Sequence, residues 1–295
     1  MLTLEDLAAL VEQHSPALGA RVREFEIGGR LFDFNARPYL MGVINLSPDS
    51  WYRESVCLSA EQAIRRGKTL HAQGADIVDI GAESTLAHAA RADTAVQSSR
   101  LLPVIEELRA AGVLVSVETY DESVTRECLK AGANVLNWTG TAEPQRFFEL
   151  AVEHRAAVIV CYVQGRNVRE VGDFDFKADP ISQMEKYFES QIKAAEKIGL
   201  KNLIIDPGLG FYYRNLQDSA VRVRHQMKVF LNTFRLRALG FPICHALPHA
   251  FEYFGEEVRI AEPFFAVLAA LGKTDLFRTH EVPRTKAVLD TLRAY

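Results

Sequence analysis

The chain has 295 residues, 48% of them hydrophobic, a formal net charge of -4 and a pI of about 6.1. That is enough apolar material for one sizeable core, and the size suits a single α/β barrel. The small negative charge excludes the broad cationic surface that counterion release from nucleic acid requires, and no apolar run approaches the ~20 residues that span a bilayer.

Residues 1–10 carry Glu5 and Asp6 with no basic leading segment, so a cytosolic protein without a membrane partner is expected. Residues 3–13 read as a helix, and 24–34 as a hairpin turning at Gly28-Gly29, a pair that tolerates positive φ. We expect residues 1–38 to form an extension that caps the amino-terminal mouth of a barrel occupying 39–295. Buried parallel strands are predicted at 39–44, 76–80, 113–117, 134–136, 157–161, 202–205, 241–244 and 276–277, all short and apolar. Eight such strands, spaced by roughly 30 residues, match a (β/α)8 TIM barrel; an open doubly wound sheet is the rival. Gly74, Gly112, Gly132, Gly199, Gly240 and Gly272 each follow a helix-like stretch and precede an apolar run, where a helix ends in the left-handed conformation. Ser59-Ala-Glu-Gln62 reads as a capping box. Ile181, Met184, Phe188, Ile192 and Ala195 form a core-facing stripe at helical period. The cysteines, Cys57, Cys128, Cys161 and Cys244, include no C-x-x-C pair, so reduced thiols are expected rather than a disulfide framework or a structural zinc site.

In such a barrel the active site gathers where the strands end. Nearly every run here ends in a polar residue: Asn45, Asp79 with Glu83, Glu118 with Thr119, Asn137, Gln164, Asp206, His245, and Arg278 with His280. Each such group left unpaired when buried costs ~1–3 kcal/mol, so a ligand rich in donors and acceptors is expected at that mouth.

These residues carry a resemblance. Met41-Gly-Val-Ile-Asn45-Leu-Ser-Pro-Asp49-Ser50, Asp79-Ile-Gly-Ala-Glu83-Ser84-Thr85, Val117-Glu118-Thr119-Tyr120, Leu136-Asn137, Asp206-Pro-Gly-Leu-Gly-Phe211 and Arg278-Thr-His280-Glu-Val282 occur in this order. Together they resemble the successive strand motifs of the dihydropteroate synthase family, from about Tyr39 to the carboxyl terminus. The resemblance implies a transferase joining 6-hydroxymethyl-7,8-dihydropterin pyrophosphate to p-aminobenzoate or a related arylamine, releasing pyrophosphate with the help of Mg²⁺. It further implies a homodimer through late helices, where Phe264, Phe265 and Leu268 are expected chiefly to pack on the barrel. Asp206, Asn137, Glu118 and Arg278 resemble the pterin-binding residues, with Glu118 where the family carries Asp. Asn45, Arg278 and His280 resemble the pyrophosphate side, Asn45 also holding Mg²⁺, and Asp206, Glu118, Arg278 and His280 form the implied catalytic set. The chemistry agrees: a carboxylate accepts two parallel N–H bonds from an aminopyrimidine edge, a guanidinium fork matches phosphate oxygens, and buried carboxylates stabilise a developing cation.

The departures cluster on the acceptor side. The family's seventh-strand Ser-Arg-Lys is absent from Ile243-Cys-His245-Ala-Leu-Pro248-His249-Ala250. Leu86, Trp138, Tyr162 and the Tyr212-Tyr213 pair also stand where the family carries Arg, Asp, His and Lys. Acceptor-side contacts are assigned to Thr85, Phe211, His245 and His249, either imidazole substituting for the missing Lys as a donor. Pro248 argues against a helical metal pair of His245 with His249. Altered acceptor use or low activity is expected. The alternatives are a non-catalytic pterin-binding paralogue and a pterin-dependent methyltransferase, which leaves the pyrophosphate-side residues unexplained.

Overall fold

Eight short aliphatic runs pair in parallel, consecutive runs are joined through helices, and the sheet closes on itself. The computed structural model describes residues 1–50, 52–83, 92–173, 179–210 and 218–295. Helix α1 (Leu4–Gln13) and the antiparallel hairpin β1 (Phe25–Ile27) and β2 (Arg30–Phe32) precede the barrel. Its strands are β3 (Tyr39–Asn45), β4 (Ile77–Gly81), β5 (Val115–Thr119), β6 (Val135–Trp138), β7 (Ala157–Cys161), β8 (Leu203–Asp206), β9 (Cys244–Ala246) and β10 (Leu276–Thr279). The intervening helices are α2 (Ala60–Ala72), α3 (Thr94–Ala110), α4 (Glu122–Lys130), α5 (Pro144–Glu153), α6 (Pro180–Ile198), α7 (Ser219–Leu236), α8 (Phe251–Phe254) and α9 (Ala261–Leu271), with α10 (Val282–Arg293) following β10. The order around the sheet is β8-β7-β6-β5-β4-β3-β10-β9. The Ile205 N–H donates to the Pro242 carbonyl at 3.0 Å beside a parallel bridge from Ile205 to Ile243, which closes the barrel and rules out the open sheet.

Most strands run one or two residues further than the apolar pattern suggests. Asn45, Glu118, Asn137, Asp206 and Arg278 all lie within strands. A polar side chain ends the apolar run but not the hydrogen-bonded ladder, because it points into the mouth instead of out to solvent.

Alternation decides where each side chain goes. Tyr39, Met41, Ile77, Val135, Ala157, Ile159, Ile204, Cys244 and Leu276 fill the lower barrel interior together with Phe25, Ile27, Phe32 and Phe34 from the amino-terminal segment. The hairpin thus plugs the amino-terminal mouth. Its turn needs glycine: Gly28 has φ +58°, and a Cβ there would lie 2.5 Å from Leu114 Cδ2. The intervening residues, such as Leu40, Val78, Val117, Leu136, Val160 and Phe277, pack outward under the helices. Ile181, Met184, Phe188, Ile192 and Ala195 meet them from α6, all buried.

Five of the six glycine joints are left-handed, with φ between 77° and 109°. Gly272 is not: its φ is -80°, and Lys273 (φ 63°) takes the left-handed position. Glycine is required there for another reason, since a Cβ would lie 1.8 Å from the Phe230 carbonyl oxygen. At α2, Ser59 caps the Gln62 N–H at 3.2 Å, but Gln62 reaches back to the Leu58 N–H at 3.0 Å rather than to Ser59, so the box is not reciprocal. The reciprocal box lies at α1, between Thr3 and Asp6. All four cysteines are buried and free. Phe265 and Leu268 pack inward as expected while Phe264 stays exposed. Among the described residues, no helix is long and apolar enough to cross a membrane.

Candidate active site

Inward register on five strands delivers Asp79, Glu118, Asn137, Asp206 and Arg278 to the carboxyl-terminal half of the barrel, above its apolar filling. Arg278 lies among them, largely but not fully buried. Its Nε donates to Asp79 Oδ2 at 2.8 Å and its Nη2 to Glu118 Oε2 at 2.5 Å. Asn137 Nδ2 donates to the same Asp79 oxygen at 3.2 Å, and Asp206 Oδ1 accepts the Gly208 N–H at 2.7 Å. Asp79 Oδ1 is buried without a hydrogen-bond partner.

Three carboxylates around one guanidinium carry an excess of negative charge in a dry place. Burial raises the Glu118 carboxyl to about 7; Arg278 opposes the rise, and Asp79 and Asp206 add to it. Burial likewise raises Asp206 to about 6, against the Gly208 N–H and Arg278. Burial lowers Arg278, but Asp79 and Glu118 outweigh it and hold the guanidinium above its ordinary range. The layer therefore offers acceptors with spare lone pairs, which suits a ligand edge rich in N–H groups.

This layer floors a cavity lined also by Asn45, Ser50, Tyr52, Glu83, Thr139, Arg222, Gln226, His249 and His280. At one end, Asn45 Nδ2 donates to Ser55 Oγ at 2.6 Å, which leaves the amide oxygen for the cavity. The Tyr52 ring stacks on His280 and His249, with centroids 4.6 and 5.0 Å away. Behind them lies Glu262, whose Oε1 accepts from His280 Nδ1 at 2.7 Å. At the other end α7 supplies Arg222, paired with Glu252, and Gln226, whose Nε2 donates to the Leu209 carbonyl at 3.0 Å.

The family model described as "Pterin binding enzyme" matches residues 41–245, more than half of the chain. The chain belongs to that family. The dihydropteroate synthase of a Synechocystis strain is 29% identical over 269 residues, covering 87% of this pterin enzyme and 89% of the relative. The solved dihydropteroate synthase of Xanthomonas albilineans with 4-aminobenzoic acid is 28% identical with a TM-score of 0.76, over 92% of this chain and 97% of that one. That of Thermus thermophilus in complex with 6HMPPP is 27% identical with a TM-score of 0.73, over 92% and 99%. This pterin enzyme is thus a dihydropteroate-synthase-like transferase with a TIM barrel.

Seven of the residues given a site role from the sequence meet at its cavity, Asn45, Glu118, Asn137, Asp206, His249, Arg278 and His280, together with the strand-end Glu83. Thr85 and Phe211, with Leu86, Tyr212 and Tyr213, lie outside the described residues. His245 does not reach the cavity. Cys244 and Ala246 take the inward positions of β9, so His245 points outward, fully buried, with Nε2 at 2.8 Å from Thr233 Oγ1 and its ring 4.8 Å from Phe230. Burial pushes its pKa down to about 3, leaving a neutral core histidine. His245→Ala is expected to leave pterin affinity within about two-fold while costing ~2–4 kcal/mol in denaturant melts, through the cavity it leaves and the loss of its bond to Thr233, whose hydroxyl keeps the Val229 carbonyl. The same alternation corrects Trp138 and Tyr162. Asn137 points in, so Trp138 packs outward on Phe147 and Phe148 of α5. Tyr162 likewise packs on Tyr187 and Phe188 of α6. These two substituted aromatics therefore line the back of the barrel wall, and neither faces the acceptor.

Asp79, Arg222 and Glu262 were given no role by the sequence. Asp79 stood in view as a strand-end carboxylate. Glu262 was visible as a lone charge in the apolar stretch of α9. Arg222 gave no signal, because one arginine on an amphipathic helix reads as a solvated face.

Proposed function

We propose that this enzyme joins 6-hydroxymethyl-7,8-dihydropterin pyrophosphate to an arylamine carboxylate such as p-aminobenzoate. The observation that carries the reading is the buried Asp79, Glu118, Asn137, Asp206 and Arg278 layer beneath a cavity that also holds Asn45 and His280. Asp206 accepts the paired N–H donors of the aminopyrimidine edge, and Asn137 and Glu118 complete its recognition. As the C–O bond to the diphosphate breaks, its electron pair leaves with the diphosphate and positive charge spreads from the methylene into the ring. Glu118 and Asp206 stabilise that charge where water is excluded. The amine then forms the C–N bond, and the proton it loses passes to the released diphosphate. Arg278 has five N–H donors, two of them held by Asp79 and Glu118, and it offers the remainder to departing phosphate oxygens together with His280.

A divalent cation, Mg²⁺ in our reading, fits the Asn45 end. The amide oxygen is a hard donor of the kind Mg²⁺ takes alongside substrate phosphates, and an ion held there would neutralise leaving-group charge. Residues 1–38 serve as a closure of the barrel floor, and the exposed Ile260, Phe264 and Leu271 along α9 are the surface we assign to a homodimer.

Arg222 takes the place of the missing seventh-strand Lys as the cation for the acceptor's carboxylate. It reaches the cavity from α7 rather than from β9. Arg222→Met is expected to raise KM for p-aminobenzoate by about 10- to 100-fold, the loss of one charge-assisted pair, with a smaller change in kcat and pterin affinity unaltered. An equal fall in kcat for every arylamine, charged or not, assigns Arg222 to structure instead. The reading as a whole is tested by pyrophosphate release on mixing the pterin pyrophosphate, Mg²⁺ and p-aminobenzoate. Release with an arylamine supports it. Pterin binding without release leaves a binding protein, and no pterin binding removes the reading.

A further inference from the structure

We propose that His249, Glu262 and His280 form a binding site for a divalent transition-metal ion of the zinc type, opening onto the Asn45 end of the cavity. One ligand atom from each of the three residues lies within 4.8 Å of the others. The donors come from three separate places: the loop after β9, the first turn of α9 and the residue following β10. Glu262 is fully buried. Its Oε2 is held by the backbone N–H groups of His280 at 2.9 Å and Glu281 at 3.2 Å and by the Thr279 hydroxyl, so that Oε1 is the oxygen left to act. Oε1 lies 2.7 Å from His280 Nδ1 and 3.6 Å from His249 Nδ1. Ligands at zinc distances of 2.0–2.2 Å in a tetrahedron stand about 3.3 Å apart, between the two spacings seen.

Charge and hydrogen bonding support the assignment. Among the described residues no arginine or lysine pairs with Glu262; its ion-pair partners are the two imidazoles. His249 Nδ1 is buried without a hydrogen-bond partner. A buried carboxylate facing an imidazole whose inward nitrogen has no partner is costly when left so; a dication between them satisfies both.

Two imidazoles and one carboxylate with a position left open is a donor set of catalytic zinc. His249 and His280 line the cavity and Glu262 does not, so the open position faces the cavity. The alternative is that Glu262 merely orients His280. The 2.7 Å bond meets that need, but it leaves the buried, partnerless His249 Nδ1 without an account. A leaving diphosphate as the ion's target rests on the function proposed above; binding of the ion to the protein does not.

The full chain, freed of metal by chelator dialysis and without any pterin, is titrated with ZnCl₂ by calorimetry and with CoCl₂ by visible absorbance. We expect one equivalent of Zn²⁺ and Co²⁺ bands of nitrogen-ligated, low-coordinate type. His249→Ala and His280→Ala should each weaken binding by at least the ~100-fold that loss of an outer-sphere partner reaches, and the double variant should abolish it. His71→Ala, away from the site, should change nothing. Glu262→Gln risks the fold because three backbone or hydroxyl donors depend on it, so the histidine variants decide, each checked by thermal melt. Zn²⁺ binding of equal strength in His249→Ala and the parent, or none in the parent, overturns the proposal. With no pterin present, that failure leaves the transferase reading standing, and loss of pterin binding leaves the metal site standing.

Discussion

Arg278→Met is expected to destabilise the ligand-free protein by ~3–5 kcal/mol at pH 8, the cost of stranding buried charge, and by distinctly less at pH 5. The side chain sits 2.8 Å from Asp79 Oδ2 and 2.5 Å from Glu118 Oε2. Methionine fills much of the stem's volume and supplies neither donor nor charge. The pH dependence follows from the carboxyls. Glu118 is raised from 4.5 to about 7 and Asp206 from 3.8 to about 6, burial being the main cause in each and Arg278 opposing it. A carboxyl whose folded pKa lies above its unfolded value binds protons more tightly in the folded state, so its contribution falls as pH rises from the unfolded toward the folded value. Removing Arg278 pushes both values higher still. The deficit is therefore greatest above pH 7, and it shrinks toward pH 5 as Glu118 and Asp206 take up protons and need no counter-charge. Urea melts at the two pH values measure this. An equal deficit at both shows that Arg278 acts by packing and not by charge.

The barrel and the chief polar ring of its mouth could be read from the sequence because both follow from composition along single strands. An apolar run interrupted by Asn45, Asp206 or Arg278 marks a buried strand whose end opens on the cavity. Which of two neighbouring residues faces inward does not follow from composition. In β9, Cys244 and Ala246 face in, and His245 between them must face out; in β6 the same rule sends Trp138 behind the wall. A substitution at an outward position leaves the site untouched, so Trp138 and Tyr162 do not count among the losses on the acceptor side, whereas the absent seventh-strand Lys still does. The residues that sequence reasoning missed come from helices and act across the chain. Arg222 and Glu262 meet the cavity or its backing only because α7 and α9 pack where they do, and no local pattern encodes that. Gly272 makes the same point in the backbone: its need is set by the Phe230 carbonyl of α7 and not by its own turn.

Asp206→Asn separates recognition from stability and should move the two in opposite directions. Pterin affinity is expected to fall by about 100- to 1,000-fold, since a charge-assisted bidentate pair is replaced by one acceptor and one donor, and the amide N–H opposes a ligand N–H. Asp206 Oδ1 already accepts the Gly208 N–H at 2.7 Å. The asparagine oxygen is drawn to that bond, which turns its NH₂ toward the pterin. At the same time the substitution removes a carboxyl that burial holds at about 6, so at pH 8 the folded protein no longer carries a buried charge it resists. Ligand-free Tm at pH 8 should stay level or rise. Calorimetry with the pterin pyrophosphate and melts of the same preparation read both quantities. A variant that binds pterin as tightly as the parent removes Asp206 from recognition, whereas one that loses both affinity and Tm shows that the carboxylate holds the loop at Gly208 and only through it the ligand.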